Sequence, residues 1–391
     1  MPAPALPTHG PITSLHVVPH IDAEASGPSY AVPSLCRALD QRGDPAILAT
    51  LGGPSALGIR VRHERFAERG PSRALAWSPA MGRGLKALAR EAAVVHNHNL
   101  WGFPPIYAAN AARSLQKPLI VSPRGTLTPS ALSHSRLKKK IMWLLGQRAS
   151  TLAAACFHAT GEEEYAAIRA FGLTAPVAII PNGIDLPALG AARTTPPVGG
   201  QRTALYLGRI HPIKGLANLL TAWSRLAAQH PDWDLRLVGP DEDNHLAALQ
   251  AQVAAAAIPR VSFAGPAYGP AKQAAYDAAS LFILPSFSEN FGMSAAEALA
   301  TGVPVITTTG TPWRGLVDHG AGWWVAPDAD GLTGALAQAL PLPASALAGM
   351  GARGQDWMAR DFSWEGIAAA MSAVYRWLAG RGDMPAQVRT E

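Results

Sequence analysis

Ser286-Phe287-Ser288-Glu289-Asn290-Phe291-Gly292-Met293-Ser294-Ala295-Ala296-Glu297-Ala298-Leu299-Ala300-Thr301-Gly302-Val303-Pro304 follows a short apolar run, Leu281-Phe282-Ile283-Leu284-Pro285. The run reads as a strand and the polar, Gly-containing segment as a loop. The Ala/Leu/Glu segment reads as a helix of strong formers that opens near Ser294. Glu289 waits in the loop, and Glu297 lies about one turn inside the helix. Such a loop turns backbone N–H groups, here those of Phe291, Gly292 and Met293, and the positive end of a helix dipole toward an anion. A phosphate bound there leaves the two carboxylates free to accept hydrogen bonds from sugar hydroxyls. The spacing fits a nucleotide-sugar site.

Outward from this stretch, short apolar strands alternate with Ala/Leu-rich helices, the mark of βα units and parallel sheets. The first half carries strands from Thr13–Val18 through Val94–His98 to Val177–Ile180, and the second restarts at Ala204–Leu207 and runs to Gly322–Val325. Between them, a Pro/Gly/Ala/Thr-rich segment without apolar periodicity reads as a linker. At 391 residues the chain exceeds the ~250–300 at which single cores stop growing, so two domains are expected. We divide it into residues 1–190, a linker 191–200, residues 201–362 and a C-terminal segment 363–391. The class is α/β, with two Rossmann-like, doubly wound domains facing across a cleft. Ligands in such sheets bind beyond the carboxyl ends of the strands, where the residues singled out here all lie.

Hydrophobic residues at 48% and charged residues at 15% describe a globular chain with ample core, neither disordered nor fibrous. Cys36 and Cys156 sit in apolar contexts and read as reduced core residues, which fits a cytoplasmic protein. No basic region followed by an apolar core opens the chain, so no secretory signal is expected. No apolar run approaches the ~20 residues of a membrane span. The net charge of +6 favours an acidic partner. Nucleic acid is excluded, because the cations are scattered apart from one helix and no recognition motif accompanies them. In that helix, within residues 136–148, Arg136, Lys138, Lys139, Lys140 and Arg148 interleave with Ile141, Met142, Trp143, Leu144 and Leu145. It can rest on an anionic membrane at the inner face of the cell membrane, or it can be an ordinary helix with its Leu/Trp face in the core.

Glu289 and Glu297 resemble the paired glutamates of family 4 of the retaining glycosyltransferases, proteins of the GT-B fold. Pro181-Asn182-Gly183-Ile184-Asp185 is similar to the family's close of the first domain, and Leu207-Gly208-Arg209 with Lys214-Gly215 to its opening of the second. Val238-Gly239-Pro240 and Gly302-Val303-Pro304-Val305-Ile306 follow in order. The resemblance implies a bacterial surface-polysaccharide enzyme. It would move a hexose from a nucleoside diphosphate sugar, UDP- or GDP-linked, to a carbohydrate acceptor with retention. The acceptor implied is a lipid-linked oligosaccharide on a polyprenyl diphosphate, in exopolysaccharide, capsule or lipopolysaccharide synthesis. The departing diphosphate would help to deprotonate the acceptor. No enzyme nucleophile is then required, and none is evident. The last helix, from about Trp364 to Ala379, would pack back on the first domain.

A diphosphate leaving group needs cations. No metal cluster is visible, so no metal or cofactor is expected and side chains must supply the charge. Arg209 as a fork and Lys214 as a point charge suit it, and with Glu289 they form the expected catalytic set. The donor set adds Gly27, Gly208, Gly265, Asn290, Phe291, Gly292, Met293 and Glu297. Gly27 stands in Ser26-Gly27-Pro28-Ser29-Tyr30, a glycine loop that lacks the family's frequent second glycine. By resemblance Glu297 binds the ribose, Glu289 faces the donor sugar, and Phe263-Ala264-Gly265-Pro266 reads the base through backbone groups. On the acceptor side stand His98, Trp101 and Arg124. Trp101 can stack on a sugar while its N–H bonds a hydroxyl. His96 and His98 share a strand face, but no third metal ligand is visible nearby. Arg124, in Ser122-Pro123-Arg124-Gly125-Thr126, replaces a histidine that many relatives carry. Arginine cannot act as a base, so a phosphate, of the donor or of a lipid-linked acceptor, is the reading. Glu162 is a further candidate, or merely an acid at a helix N-terminus. Two rivals remain. A sugar-nucleotide epimerase or hydrolase of the same fold would turn over donor alone, and a non-catalytic nucleotide-sugar binder would tolerate loss of Glu289.

Overall fold

The computed structural model describes residues 10–22, 27–52, 61–70, 73–186 and 200–391. Ser26 and the expected linker up to residue 199 lie outside the described residues. The strands, in chain order, are β1 (Ser14–Val17), β2 (Ala46–Leu51), β3 (Arg62–Phe66), β4 (Val94–His98), β5 (Leu119–Ser122), β6 (Cys156–Ala159) and β7 (Val177–Ile179). Then come β8 (Arg202–Leu207), β9 (Trp233–Val238), β10 (Val261–Ala264), β11 (Leu281–Leu284), β12 (Val305–Thr308), β13 (Gly322–Val325) and β14 (Val388–Arg389). Every strand expected from the apolar runs is present. The sequence reading misses β3 and β14. The residues of β3, Arg-His-Glu-Arg-Phe, carry no apolar alternation because this edge strand is half solvated.

The chain divides into two compact units, residues 1–183 with 364–391, and residues 184–363. The first therefore closes at Gly183 rather than at 190. Ile184 is buried in the second core and its N–H donates to Phe362 O (2.8 Å).

The sheet of the first unit runs β14-β7-β6-β5-β4-β1-β2-β3, parallel throughout except for β14. Helices Pro79–Glu91 and Phe103–Ser114 contribute to a core on one face, and Gly27–Gln41 and the C-terminal helix Trp364–Leu378 to a core on the other. The C-terminal helix is tied down by a buried charge. Arg376 donates to Asp44 Oδ1 (2.6 Å), and Ile12 N–H (3.0 Å) and Ser372 Oγ (2.5 Å) also donate to that carboxylate.

The second sheet runs β10-β9-β8-β11-β12-β13, all parallel. Winding outward in both directions from β8 places a switch point between β8 and β11. There two crossovers leave in opposite directions and open a crevice at the carboxyl edge. The corresponding point in the first sheet lies between β1 and β4. No helix among the described residues is long and apolar enough to cross a membrane.

The basic helix departs from its second reading. It breaks into Arg136–Met142, a wide turn Trp143–Gln147 with Gly146 at φ 123°, and Arg148–Leu152. Met142 is buried, and Trp143 packs against Trp101 and Phe171. Leu137, Ile141, Leu144 and Leu145 face solvent, Leu137 at 72% and Leu144 at 76% exposure, so the leucine face is not core.

Candidate functional site

In the second unit the donor candidates, apart from Gly265, follow β8 and β11, the two strands that flank the switch point. The loop after β8 carries Gly208, Arg209 and Lys214 and feeds helix Leu216–Leu226. The loop after β11 feeds helix Met293–Ala300, which opens one residue earlier than expected. The two loops are stitched together. Phe287 N–H donates to Ile213 O (2.9 Å), and a Cβ at Gly215 (φ +67°) would lie 2.1 Å from Pro285 O. Only glycine permits that approach.

Lys214 and Glu289, 75 positions apart, form an ion pair, with side-chain exposures of 12% and 14%. Glu289 also accepts from Ser286 Oγ (2.9 Å), while its own N–H donates to Gly310 O (2.8 Å). Arg209 donates to Glu242 (2.7 Å), an acid beyond β9, and is half-exposed. Glu297 accepts from Lys272 Nζ (2.6 Å) and from the Tyr276 hydroxyl (2.7 Å). Each of these four charged side chains is thus held by an internal partner, from the poorly exposed Lys214–Glu289 pair to the half-exposed Arg209–Glu242 pair. Sequence reasoning misses Glu242, Lys272 and Tyr276. Lys272 and Tyr276 stand four apart on one face of helix Gly269–Ala278, which is the only local signal they leave.

The anion loop is braced from behind. Gly292, at φ +79°, caps the helix in the left-handed conformation, and a Cβ there would sit 3.1 Å from both Leu284 Cδ2 and Trp313 Nε1. Trp313 N–H donates to Phe291 O (2.5 Å), and Thr308 Oγ1 donates to Ser286 O. The Phe291 side chain is buried against Trp313, so its contribution to a ligand is its backbone. The first N–H groups of a helix have no partner within it, and here they belong to Met293, Ser294 and their neighbours. Asn290 lies between Glu289 and this turn. Gly265, just beyond β10, and Gly27, the first residue of its helix, have nothing within 4 Å of an added Cβ among the described residues. The fold does not demand glycine at either position.

The acceptor candidates gather in the first unit on β4, β5 and the loops that follow. His98 is buried, contrary to a direct ligand role. Arginine only donates, so His98 Nδ1 accepts from Arg124 Nε (3.2 Å), and the ring's proton sits on Nε2, facing His16 Nδ1 (3.1 Å). His16 Nε2 in turn faces Ser14 Oγ (3.0 Å). From the opposite end, the Ile180 carbonyl only accepts, so His158 donates through Nε2 (2.8 Å). Its Nδ1 meets the Ser122 hydroxyl, Ser122 Oγ meets His96 Nε2, and His96 Nδ1 meets the Tyr375 hydroxyl, each at 2.7 Å. All four rings are neutral. Burial pushes His16 and His158 down to about 3, with Arg124's charge adding to the effect, and holds His96 and His98 well below the usual imidazole range.

His16 is also the third member of a His16/His96/His98 cluster with ligand-type nitrogens within 4.8 Å, which the sequence does not reveal. The committed ring nitrogens and the neighbouring guanidinium disfavour a cation there. Trp101 gives its N–H to Thr126 O (3.1 Å) and packs on Trp143 and Phe171, so the indole is a wall of the fold and does not donate to a sugar hydroxyl. Arg124 also donates to Asn182 Oδ1 (3.0 Å). Glu162 forms an exposed ion pair with Arg389 (2.6 Å), whereas Glu164 turns inward to accept from Gly125 N–H (2.7 Å), Thr160 N–H (2.8 Å) and Thr160 Oγ1 (2.9 Å).

A family model described as Glycosyl transferases group 1 matches residues 201–341, and one described as Glycosyltransferase Family 4 matches residues 25–187. The chain belongs to glycosyltransferase family 4. The phosphatidyl-myo-inositol mannosyltransferase of Mycolicibacterium smegmatis is 30% identical to this family member over 52% of each chain. The GDP-mannose:cellobiosyl-diphosphopolyprenol alpha-mannosyltransferase of Xanthomonas oryzae pv. oryzae is 28% identical over 64% of this chain and 63% of its own. The match thus spans about half the length of the first relative and somewhat more of the second. Among solved structures, Anabaena HepE in complex with UDP and glucose superposes with a TM-score of 0.73 at 18% identity, over 93% of this chain and 99% of its own. That likeness establishes the GT-B fold.

Proposed function

We propose that this family 4 member is a retaining glycosyltransferase that moves a hexose from a nucleoside diphosphate sugar to a lipid-linked carbohydrate. The observation that carries the reading is the gathering of Arg209, Lys214, Glu289 and Glu297 at one switch point, each on a replaceable internal partner. The C1–O bond to the diphosphate breaks, and the acceptor oxygen forms its bond to C1 on the same face. The acceptor proton passes to the departing diphosphate. Arg209, Lys214 and the N–H groups around Gly292 take up the charge that develops, so the reaction needs no metal. Glu289, released from Lys214, faces the donor sugar, and Glu297 binds the ribose. A mannosyltransferase and a UDP complex among the similar proteins favour GDP and UDP as the bases to test.

The exposed Leu137, Leu144 and Leu145, with the exposed cations Arg136, Lys140 and Arg148, are assigned to an anionic membrane surface, where a polyprenyl-linked acceptor resides. That placement makes the protein a peripheral one at the cytoplasmic face.

The test is incubation with labelled UDP- and GDP-hexoses, with and without lipid extract as acceptor. Label entering the lipid phase only when acceptor is present, with the anomeric configuration retained, supports transfer. Donor turnover that is independent of acceptor supports the epimerase or hydrolase reading instead.

A further inference from the structure

The loops after β4 and β5, adjacent strands in the first sheet, hold three non-glycine residues at positive φ: Asn99 (70°), Trp101 (66°) and Arg124 (52°). Such conformations cost free energy and persist where a site over-determines them. Arg124 is fixed by two neutral acceptors, His98 Nδ1 and Asn182 Oδ1, and makes no ion pair among the described residues. Glu164, the nearby acid, directs its oxygens to Gly125 and Thr160. Residues 92–161 contain no Asp or Glu, while Arg113, Lys117, Arg124, Arg136, Lys138, Lys139, Lys140 and Arg148 all lie in that span. The four histidines around the guanidinium are neutral and so add no positive charge beside it. The Glu164 carboxylate favours the charged guanidinium through space, but among the described residues no acid forms a direct ion pair with Arg124, so the fold supplies rigid positioning and leaves the planar fork without an anion in contact. A planar guanidinium, half-buried and aimed by two fixed hydrogen bonds, is suited to bidentate recognition of a phosphate.

We propose that Arg124, held by His98 and Asn182, is the binding site for a phosphate or diphosphate ester group of the acceptor. This rests on the reading of the first domain as the acceptor side and adds the chemical class that it recognises. His98 and Asn182 act as positioning residues, which explains why His98 is buried beneath the site. With its proton on Nε2 toward His16, His98 presents Nδ1 to the arginine.

The experiment uses the full chain carrying Arg209→Ala, which weakens the donor site, and the same chain with Arg124→Met added. Thermal unfolding is followed with inorganic pyrophosphate, farnesyl diphosphate and farnesyl phosphate, each titrated, and with UDP and GDP on the protein with an intact Arg209. We expect the Arg209→Ala protein to be stabilised by pyrophosphate and farnesyl diphosphate, and the added Arg124→Met to abolish both shifts. A stronger response to the prenyl ester than to pyrophosphate identifies a lipid-borne phosphate, and equal responses identify a phosphate site indifferent to the lipid. Equal shifts with and without Arg124, or no shift in the Arg209→Ala protein, overturn the proposal. If the methionine variant does not fold, Arg124→Lys serves in its place. It keeps the charge and loses the fork, so about a tenfold higher midpoint concentration is expected, and an unchanged midpoint overturns the proposal. Nucleotide shifts on the Arg124→Met protein with Arg209 intact report the donor half separately, so its failure is distinguishable from failure here.

Discussion

Lys214 and Glu289 neutralise one another in a poorly exposed place, and the proposed transfer requires that they part when a diphosphate arrives. In that reaction the lysine would exchange one anion for another, and the carboxylate would be freed toward the sugar. Removing a cation that stabilises developing charge in a closed site costs about 2.7–4 kcal/mol. Lys214→Ala and Arg209→Ala are therefore each expected to lower kcat by about 10²–10³-fold, read by steady-state transfer assays. Unaltered turnover in either variant contradicts the donor assignment. The buried histidines give a second prediction at this scale. Their folded values lie below the ordinary 6.5, so the unfolded chain binds the protons first, and stability is full above pH 6.5 and lost as pH falls toward about 3. Each such ring removes about 1.4 kcal/mol per pH unit inside that window. Urea midpoints should be level from pH 7.5 to about pH 6.5 and fall from there to pH 5, whereas a profile flat throughout would show that the rings titrate normally. Arg209, Lys214, Glu289 and Glu297 are legible in the sequence because strand-end motifs place them. Their partners Glu242 and Lys272 are not, since they arrive from other βα units, and the i, i+4 spacing of Lys272 and Tyr276 does not say what they meet.

Two elements depend on contacts far apart in the chain. The C-terminal helix Trp364–Leu378 is anchored through Asp44, which lies in the turn before β2. Asp44→Ala leaves Arg376 buried without its counter-charge and should cost about 3–5 kcal/mol, read as a lower urea midpoint. A loss below about 1 kcal/mol would mean that apolar packing alone holds this helix. In the basic segment, the amphipathic pattern is visible in the sequence, but which face meets solvent is not. Gly146 at φ 123° breaks the helix, and Trp143 turns inward against Phe171 while Leu144 and Leu145 stay out. Each leucine fully buried in a lipid surface contributes about 1.5–3 kcal/mol. Leu144→Ser with Leu145→Ser should weaken binding to phosphatidylglycerol vesicles by at least tenfold in sedimentation assays, with the fold unchanged. Undiminished binding would exclude this surface. The strand β3 escapes sequence reading for the opposite reason, having no apolar face to display.

At the scale of the whole molecule, the alternation of strands and helices yields two parallel sheets, and winding outward from β1 and β8 yields their switch points. The alternation follows from the period of the apolar residues, whereas the strand order that sets the switch points does not. The hand-over between units at Gly183 does not, because it rests on where Ile184 finds a core and on how closely Trp364 packs over Gly183, 2.4 Å from an added Cβ. The central claim is that the second unit is a nucleotide-sugar site. The most direct measurement is thermal unfolding of the full chain with UDP, GDP, ADP and TDP in turn, beside the Arg209→Ala protein. A ligand at about 100 times its Kd stabilises by about 2.7 kcal/mol. The account predicts a clear rise with UDP or GDP that Arg209→Ala removes, and no rise with any of the four would contradict it.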